Sequence, residues 1–211
     1  MAFPAQSSMD ALNFGQHYAI LNLDWMSILV NAINETGSGQ ALIANCSRWN
    51  DAIHRKSPRP LTIFTTLSFN RAQPELESNK PFSRLISPFG TFEEGSPGVQ
   101  IDSRFVIDEK DIVLRKTRLS ATTGNSLEQI LRAQGIDTVV ISGLSLSGVV
   151  MSTIYRLFDL DYNINVIADN VLELPVDQNA AFSKVMLDSL LPKMSLRAIS
   201  LDEALQALGE C

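Results

Sequence analysis

Apolar residues fall into short blocks that alternate in type along the chain. "HYAILNLD" (17–24) is a compact apolar run closed by an acid, the pattern of a strand buried on both faces. Residues 38–56 place Leu42, Ile43, Cys46, Trp49 and Ile53 at helical spacing, with Ser38 as a candidate N-cap and "SPRP" as the stop. "LTIFTTL" (61–67) is a second strand, β-branched and apolar. The regular pattern then lapses from Ser68 to Asp108, where "SPFGTFEEGSPG" is turn chemistry. It resumes with a strand at 111–117, a helix at 125–135 ended by Gly135, a strand at 137–143 and a helix from Ser147 to Leu160. A strand at 162–169, an amphipathic helix at 176–191, a short strand at 195–200 and a helix at 201–208 complete the chain.

Strands alternating with helices predict an α/β fold, a three-layer α/β/α sandwich around a mostly parallel sheet of about six strands. In such sheets, ligands bind beyond the carboxyl ends of the strands. The positions that matter are therefore Asp24, Ser68, Phe69, Lys116, Ser145 to Val149, Asp169 and Asn170. The irregular segment 68–108 is expected to cover or line a site, as long loops inside compact domains do. Residues 1–16 are small and polar and read as a flexible N-terminal arm, with 17–211 as a single domain.

Composition narrows the function. The chain has 211 residues, 45% of them hydrophobic, enough for one sizeable core, and a net charge of −6. That balance argues against nucleic acid as a partner, since phosphate binding needs a basic face. No apolar run reaches the length of a membrane span, and the N-terminus lacks a secretory pattern. Two cysteines, Cys46 and Cys211, form no disulfide framework. A cytoplasmic location is the expectation.

Asp24 closes the first strand and Lys116 the third, so both can enter one crevice. A carboxylate beside an ammonium is either a structural ion pair or an acid/base device whose proton affinity the partner tunes. Ser145 and Ser147 lie on the strand-to-helix turn "ISGLSLSGVVMSTIY". They have no histidine to activate them, because His17 and His54 fall on the wrong side of the sheet. Their expected part is to cap the helix that follows. Cys46 sits on an apolar helical stripe and reads as core. Two distant histidines give no metal-ligand spacing, so neither metal nor cofactor is expected. Arg71 and Arg84 in the irregular segment are candidates to hold an anionic substrate. Trp25, Phe69, Phe82 and Phe89 are candidate apolar walls, Trp25 because it directly follows Asp24.

Taken in order, these residues resemble the isochorismatase-like hydrolases, the superfamily that includes nicotinamidases and other cysteine amidohydrolases. The likeness covers nearly the whole chain. It rests on "AILNLD", on "KTRLSATTGNSLEQIL" beginning at Lys116, and on "GLSLSGVVMSTIYRLFDLDYNINVIADN". The resemblance implies Asp24 and Lys116 as catalytic residues. It implies an oxyanion-binding turn at Leu146, Gly148 and Val149, and a cis peptide at Ser145–Leu146. It also shows departures: the family's catalytic cysteine falls on Val149, its threonine on Leu146, and the phenylalanine after "SA" is Thr122. Valine forms no thioester, so the implied chemistry is that of the cysteine-free members, which protonate a vinyl ether and let water attack. "FNRAQPELESNKPF" (69–82) is similar to a loop of that cysteine-free branch. The expected partner is a small molecule, anionic or carbonyl-bearing, touching Trp25, Phe69, Arg71 and Ser145, within a homodimer or homotetramer. The rival readings are a pseudoenzyme that keeps the fold for binding or oligomerisation, and a hydrolase with a relocated thiol.

Overall fold

In the computed structural model, residues 12–209 are described. Six strands form one parallel sheet in the order β3-β2-β1-β4-β5-β6. They are β1 (Tyr18–Leu23), β2 (Leu61–Leu67), β3 (Ile112–Lys116), β4 (Thr138–Leu144), β5 (Asn163–Leu172) and β6 (Arg197–Ile199). The predicted α/β/α sandwich is what forms, with every strand pair parallel. The chain winds outward from β1 through β2 to β3, then returns to the other side of β1 to lay down β4, β5 and β6. The order of the strands therefore reverses between β1 and β4, the place where open sheets of this kind leave a crevice.

Side chains alternate across the central strand. Ile20 enters a core that holds Leu42, Cys46, Trp49 and Ile53, while Ala19, Leu21 and Leu23 enter a second core on the opposite face. The first core is covered by α1 (Ser27–Ile33), α2 (Gly37–Arg55) and, at the chain's end, α8 (Leu201–Leu208). In α2, Leu42, Cys46, Trp49 and Ile53 are buried as the helical spacing predicts, the aliphatic ones worth about 1.5–3 kcal/mol each, whereas Ile43 is only partly buried and Gly39, Asn50 and Ala52 are buried as well. Its N-cap is Thr36, whose side chain accepts from the Gly39 amide at 3.0 Å, and not Ser38, which lies inside the first turn. Helix α1 had no counterpart in the sequence reading. It is seven residues long, too short for its period to stand out, and buries Leu29, Val30 and Ile33.

The segment between β2 and β3 contains α3 (Pro81–Ile86) and two short 3₁₀ helices, Ser87–Phe89 and Pro97–Val99, and is otherwise irregular. Backbone bonds moor it to the sheet edge. The Phe69 amide donates to Phe92 O at 2.8 Å and the Glu94 amide to Phe69 O at 2.8 Å. The opposite face carries α4 (Leu127–Ala133), α5 (Met151–Phe158), α6 (Asn179–Val185) and α7 (Leu191–Lys193), the last two joined through a wider helical turn at Met186–Leu190.

Strand β5 runs past the Asp169 end that its apolar pattern suggested. Val166 pairs with Ile141 and Val171 with Gly143, so a bulge lies between them. The strand continues to Leu172, carrying the next residue, Glu173, to the carboxyl edge of the sheet. Asp169 and Asn170 are consequently strand residues. Asp169 turns towards α8, where its Oδ2 accepts from the Leu201 amide at 2.7 Å. Of the expected N-terminal arm, residues 1–11 lie outside the described residues, as does Cys211; Phe14 is buried and packs on Tyr18. No described helix is long and apolar enough to cross a membrane.

Candidate active site

The carboxyl ends of β1, β2, β4 and β5 meet the segment 85–92 around a cavity of about 170 Å³. Asp24 leaves β1 with φ +58°, a left-handed conformation that aspartate adopts more readily than most residues, and its amide donates to Thr65 O at 3.1 Å. Its Oδ2 lies 2.7 Å from Lys116 Nζ, and its Oδ1 accepts from Thr65 Oγ1 at 2.8 Å. Lys116 is fully buried and also donates to Arg118 O at 3.0 Å. Burial raises the proton affinity of Asp24 above that of an ordinary carboxyl; Lys116, by charge and hydrogen bond, and then Thr65, work the other way. Asp24 lines the cavity, and Lys116 stands behind it.

The turn after β4 supplies the floor. Ser145, Ser147, Gly148 and Val149 line the cavity, whereas Leu146 is buried in the core beneath it. The cis peptide is Leu144–Ser145, one bond earlier than Ser145–Leu146. The turn itself is a wide, π-type helical turn, Leu146–Val150, that leads into α5. Two glycines let it close. A Cβ on Gly143 would fall 2.9 Å from both Leu23 Cβ and Val150 Cγ2, and one on Gly148 would fall 2.7 Å from Ser145 Oγ. The expected serine caps are absent, for no side-chain cap bond is made at Ser145. The backbone amide of Ser147 instead donates to Glu173 Oε2 at 2.6 Å, and Glu173 Oε1 accepts from the Leu174 amide at 2.9 Å.

Glu173 is thus a second buried carboxylate on the same cavity, and sequence reasoning missed it. The signal for it is slight: an acid in "VLELP" after an apolar stretch, beyond the strand end that the apolar pattern predicts at Asp169. The remaining walls are apolar and include Leu67, Ile86, Phe89 and Phe92. Phe89 is therefore a wall as expected. The other substrate candidates, Trp25, Phe69, Phe82, Arg71 and Arg84, are not brought to the cavity. Trp25 turns into the core against Phe64 and Phe105, with ring centroids 5.8 and 4.6 Å away. The left-handed turn at Asp24 redirects the chain, so adjacency in sequence did not make adjacency in the pocket. Phe69 is buried with its ring edge-on to Phe82, and Arg71 is exposed. Arg84 bonds Asn79 O on the surface. No Arg, Lys or His lines the cavity among the described residues.

Cys46 lies away from the cavity, its Sγ 4.0 Å from Asn170 O, and burial pushes its thiol well above the usual range. His54 is at the other end of the sheet, with its Nε2 3.1 Å from Asp111 Oδ2. Together with Asp108 it makes a cluster of the size that can hold a metal ion, a grouping the spacing of the histidines had not suggested. Arg59 donates to both carboxylates, which makes the cluster an ion-pair network tying α2 to the start of β3.

The fold and this carboxyl-edge crevice define an α/β sandwich of the kind seen in small-molecule hydrolases. The sequence profile of the Isochorismatase domain matches residues 18–196, and the chain belongs to the isochorismatase family of hydrolases. A cysteine hydrolase from Pseudomonas syringae pv. phaseolicola superposes with a TM-score of 0.81 over 99% of both chains, at 13% identity. N-carbamoylsarcosine amidase of Arthrobacter is 26% identical over 68% of this chain, and the match spans only 54% of that protein. A probable inactive nicotinamidase of Arabidopsis thaliana is 23% identical over 72% of this chain and 78% of its own.

Proposed function

We propose that the protein hydrolyses a small metabolite without a covalent cysteine intermediate, with Asp24 as general acid/base and Lys116 as its electrostatic partner. The observation that carries this reading is the Asp24 carboxyl at the cavity wall, buried and held on both oxygens. Burial makes it a stronger proton acceptor than a solvated aspartate, hence a carboxylic acid able to protonate a substrate at higher pH. Lys116 and Thr65 orient it and stabilise its conjugate base once the proton has left. Val149, at the position the family resemblance gives to the cysteine, offers no nucleophile, so water is the attacking group.

Cleavage of a vinyl ether or a related C–O bond fits this set best. A proton from Asp24 goes to carbon and gives an oxocarbenium ion; water adds to it and returns a proton to Asp24, and the hemiketal so formed collapses to a carbonyl product and an alcohol. C–N cleavage is the neighbouring possibility, the kind named in the Arthrobacter relative. A second reading, a binding protein without turnover, draws on the Arabidopsis relative and on the Ser147 amide being taken by Glu173. An oxyanion at this turn would have to displace a carboxylate.

The test is turnover by wild type and Asp24→Asn of a panel of small enol ethers, amides and imides, cationic, neutral and anionic, with isochorismate among the anionic members. Loss of a positioned acid/base lowers the rate by about 100-fold or more. No turnover by wild type, with a partner protein bound through this face, establishes the second reading.

A further inference from the structure

The charge of the cavity is set by three side chains. Asp24 and Lys116 offset one another at 2.7 Å, and the Lys116 ammonium is spent on Asp24 and Arg118 O. Among the described residues Glu173 has no cationic side chain against it; both its oxygens are held by backbone amides, Ser147 N at 2.6 Å and Leu174 N at 2.9 Å. A carboxylate offers about four lone-pair sites, so two of Glu173's remain for a ligand. The residue is 2% exposed yet lines the cavity, so its charge acts at low effective dielectric. The walls facing it are hydrocarbon, among them Leu67, Ile86, Phe89, Phe92 and Leu174, and the floor adds the neutral residues Ser145, Ser147 and Gly148.

A ligand bearing a carboxylate would desolvate its charge beside Glu173 with no basic side chain to receive it, which costs far more than apolar contact returns. An ammonium, or a neutral N–H or O–H donor, meets a free acceptor in a site that two aromatic rings partly enclose. We infer that Glu173 sets the specificity of this cavity, which takes a compact apolar ligand with a cationic or hydrogen-bond-donating end and rejects carboxylates. This reverses the anionic substrate expected from Arg71 and Arg84, neither of which reaches the cavity. The inference rests on this cavity being the working site and is independent of which bond is broken there.

The test is binding, read by calorimetry and by shifts of the Val149 methyl resonances, of three near-isosteric probes: benzylammonium, benzyl alcohol and benzoate. In wild type the order of affinity is benzylammonium, then benzyl alcohol, then benzoate, with about tenfold or more between the two ions. Glu173→Gln keeps an oxygen for one amide and removes the charge, so the two ions converge. Glu173→Asp keeps the charge and retains the preference; it also serves if the glutamine variant fails to fold. Benzoate binding as well as benzylammonium in wild type overturns the inference. So does an unchanged ratio in folded Glu173→Gln, or no benzylammonium binding at millimolar concentration. The double variant Asp24→Asn/Lys116→Met removes both members of the offsetting pair, loses turnover on the proposed mechanism and leaves the charge preference in place. Failure of the hydrolytic reading and failure of this one are thereby separated.

Discussion

Lys116 reaches Asp24 across an intervening strand. The two residues end β3 and β1, which do not touch each other; both pair with β2. Their backbones are therefore about 10 Å apart, two strand spacings. Only a long, unbranched cationic side chain lying over β2 closes that gap to 2.7 Å, and Thr65 of β2 completes the arrangement by donating to the other Asp24 oxygen. The pair is thus a clamp on three strands as well as a chemical group.

A buried pair of this kind is costly to break and cheap to replace. Lys116→Met alone leaves a buried carboxyl, and Asp24→Leu alone leaves a buried ammonium. Each is expected to lower unfolding free energy by about 3 kcal/mol. The double variant Asp24→Leu/Lys116→Met is expected within about 1 kcal/mol of wild type, with activity gone. Urea unfolding of all four proteins measures the cycle. Additive losses in the double variant would mean that the two groups are not coupled.

The acid role of Asp24 fixes the direction of the pH profile. The rate is highest where Asp24 is protonated and falls as pH rises through its raised proton affinity, above the ordinary value of 3.8. Lys116 lowers that affinity, so Lys116→Met moves the falling limb to still higher pH. Stability follows the same sign. The folded state holds the proton more tightly than the unfolded chain, so this contribution is full below 3.8 and is lost as pH rises through the folded value. The corresponding slope disappears in Asp24→Asn. Stopped-flow rates and urea midpoints against pH check both parts.

Cys46 is fully buried and its thiol is held protonated by that burial. In a Cys211→Ser background, Ellman's reagent is expected to modify Cys46 at least about 100-fold more slowly in the native protein than in urea, because reaction must wait for opening. Activity after prolonged exposure should equal that of the untreated protein. Rapid native modification with loss of turnover would restore the relocated-thiol reading.

The sequence by itself determined the sandwich, because β1, β2 and β4 are continuous apolar runs that only a sheet covered on both faces can bury. It also determined Asp24 and Lys116, since a charge that directly ends such a run has little choice but the sheet's carboxyl edge. Tertiary structure decided the rest of the cavity. Whether Trp25 faced the cavity or the core depended on the backbone turn at Asp24, and Phe92 reached its place through main-chain bonds to Phe69 that no side-chain pattern encodes. Glu173 depended on a bulge in β5. A period of two tells which face a residue takes, but a bulge changes register without changing composition, and so moves the strand's end. The fold was legible because burial is written in every residue of a strand. The second carboxylate was hidden because its position hangs on a single irregularity in how two strands pair.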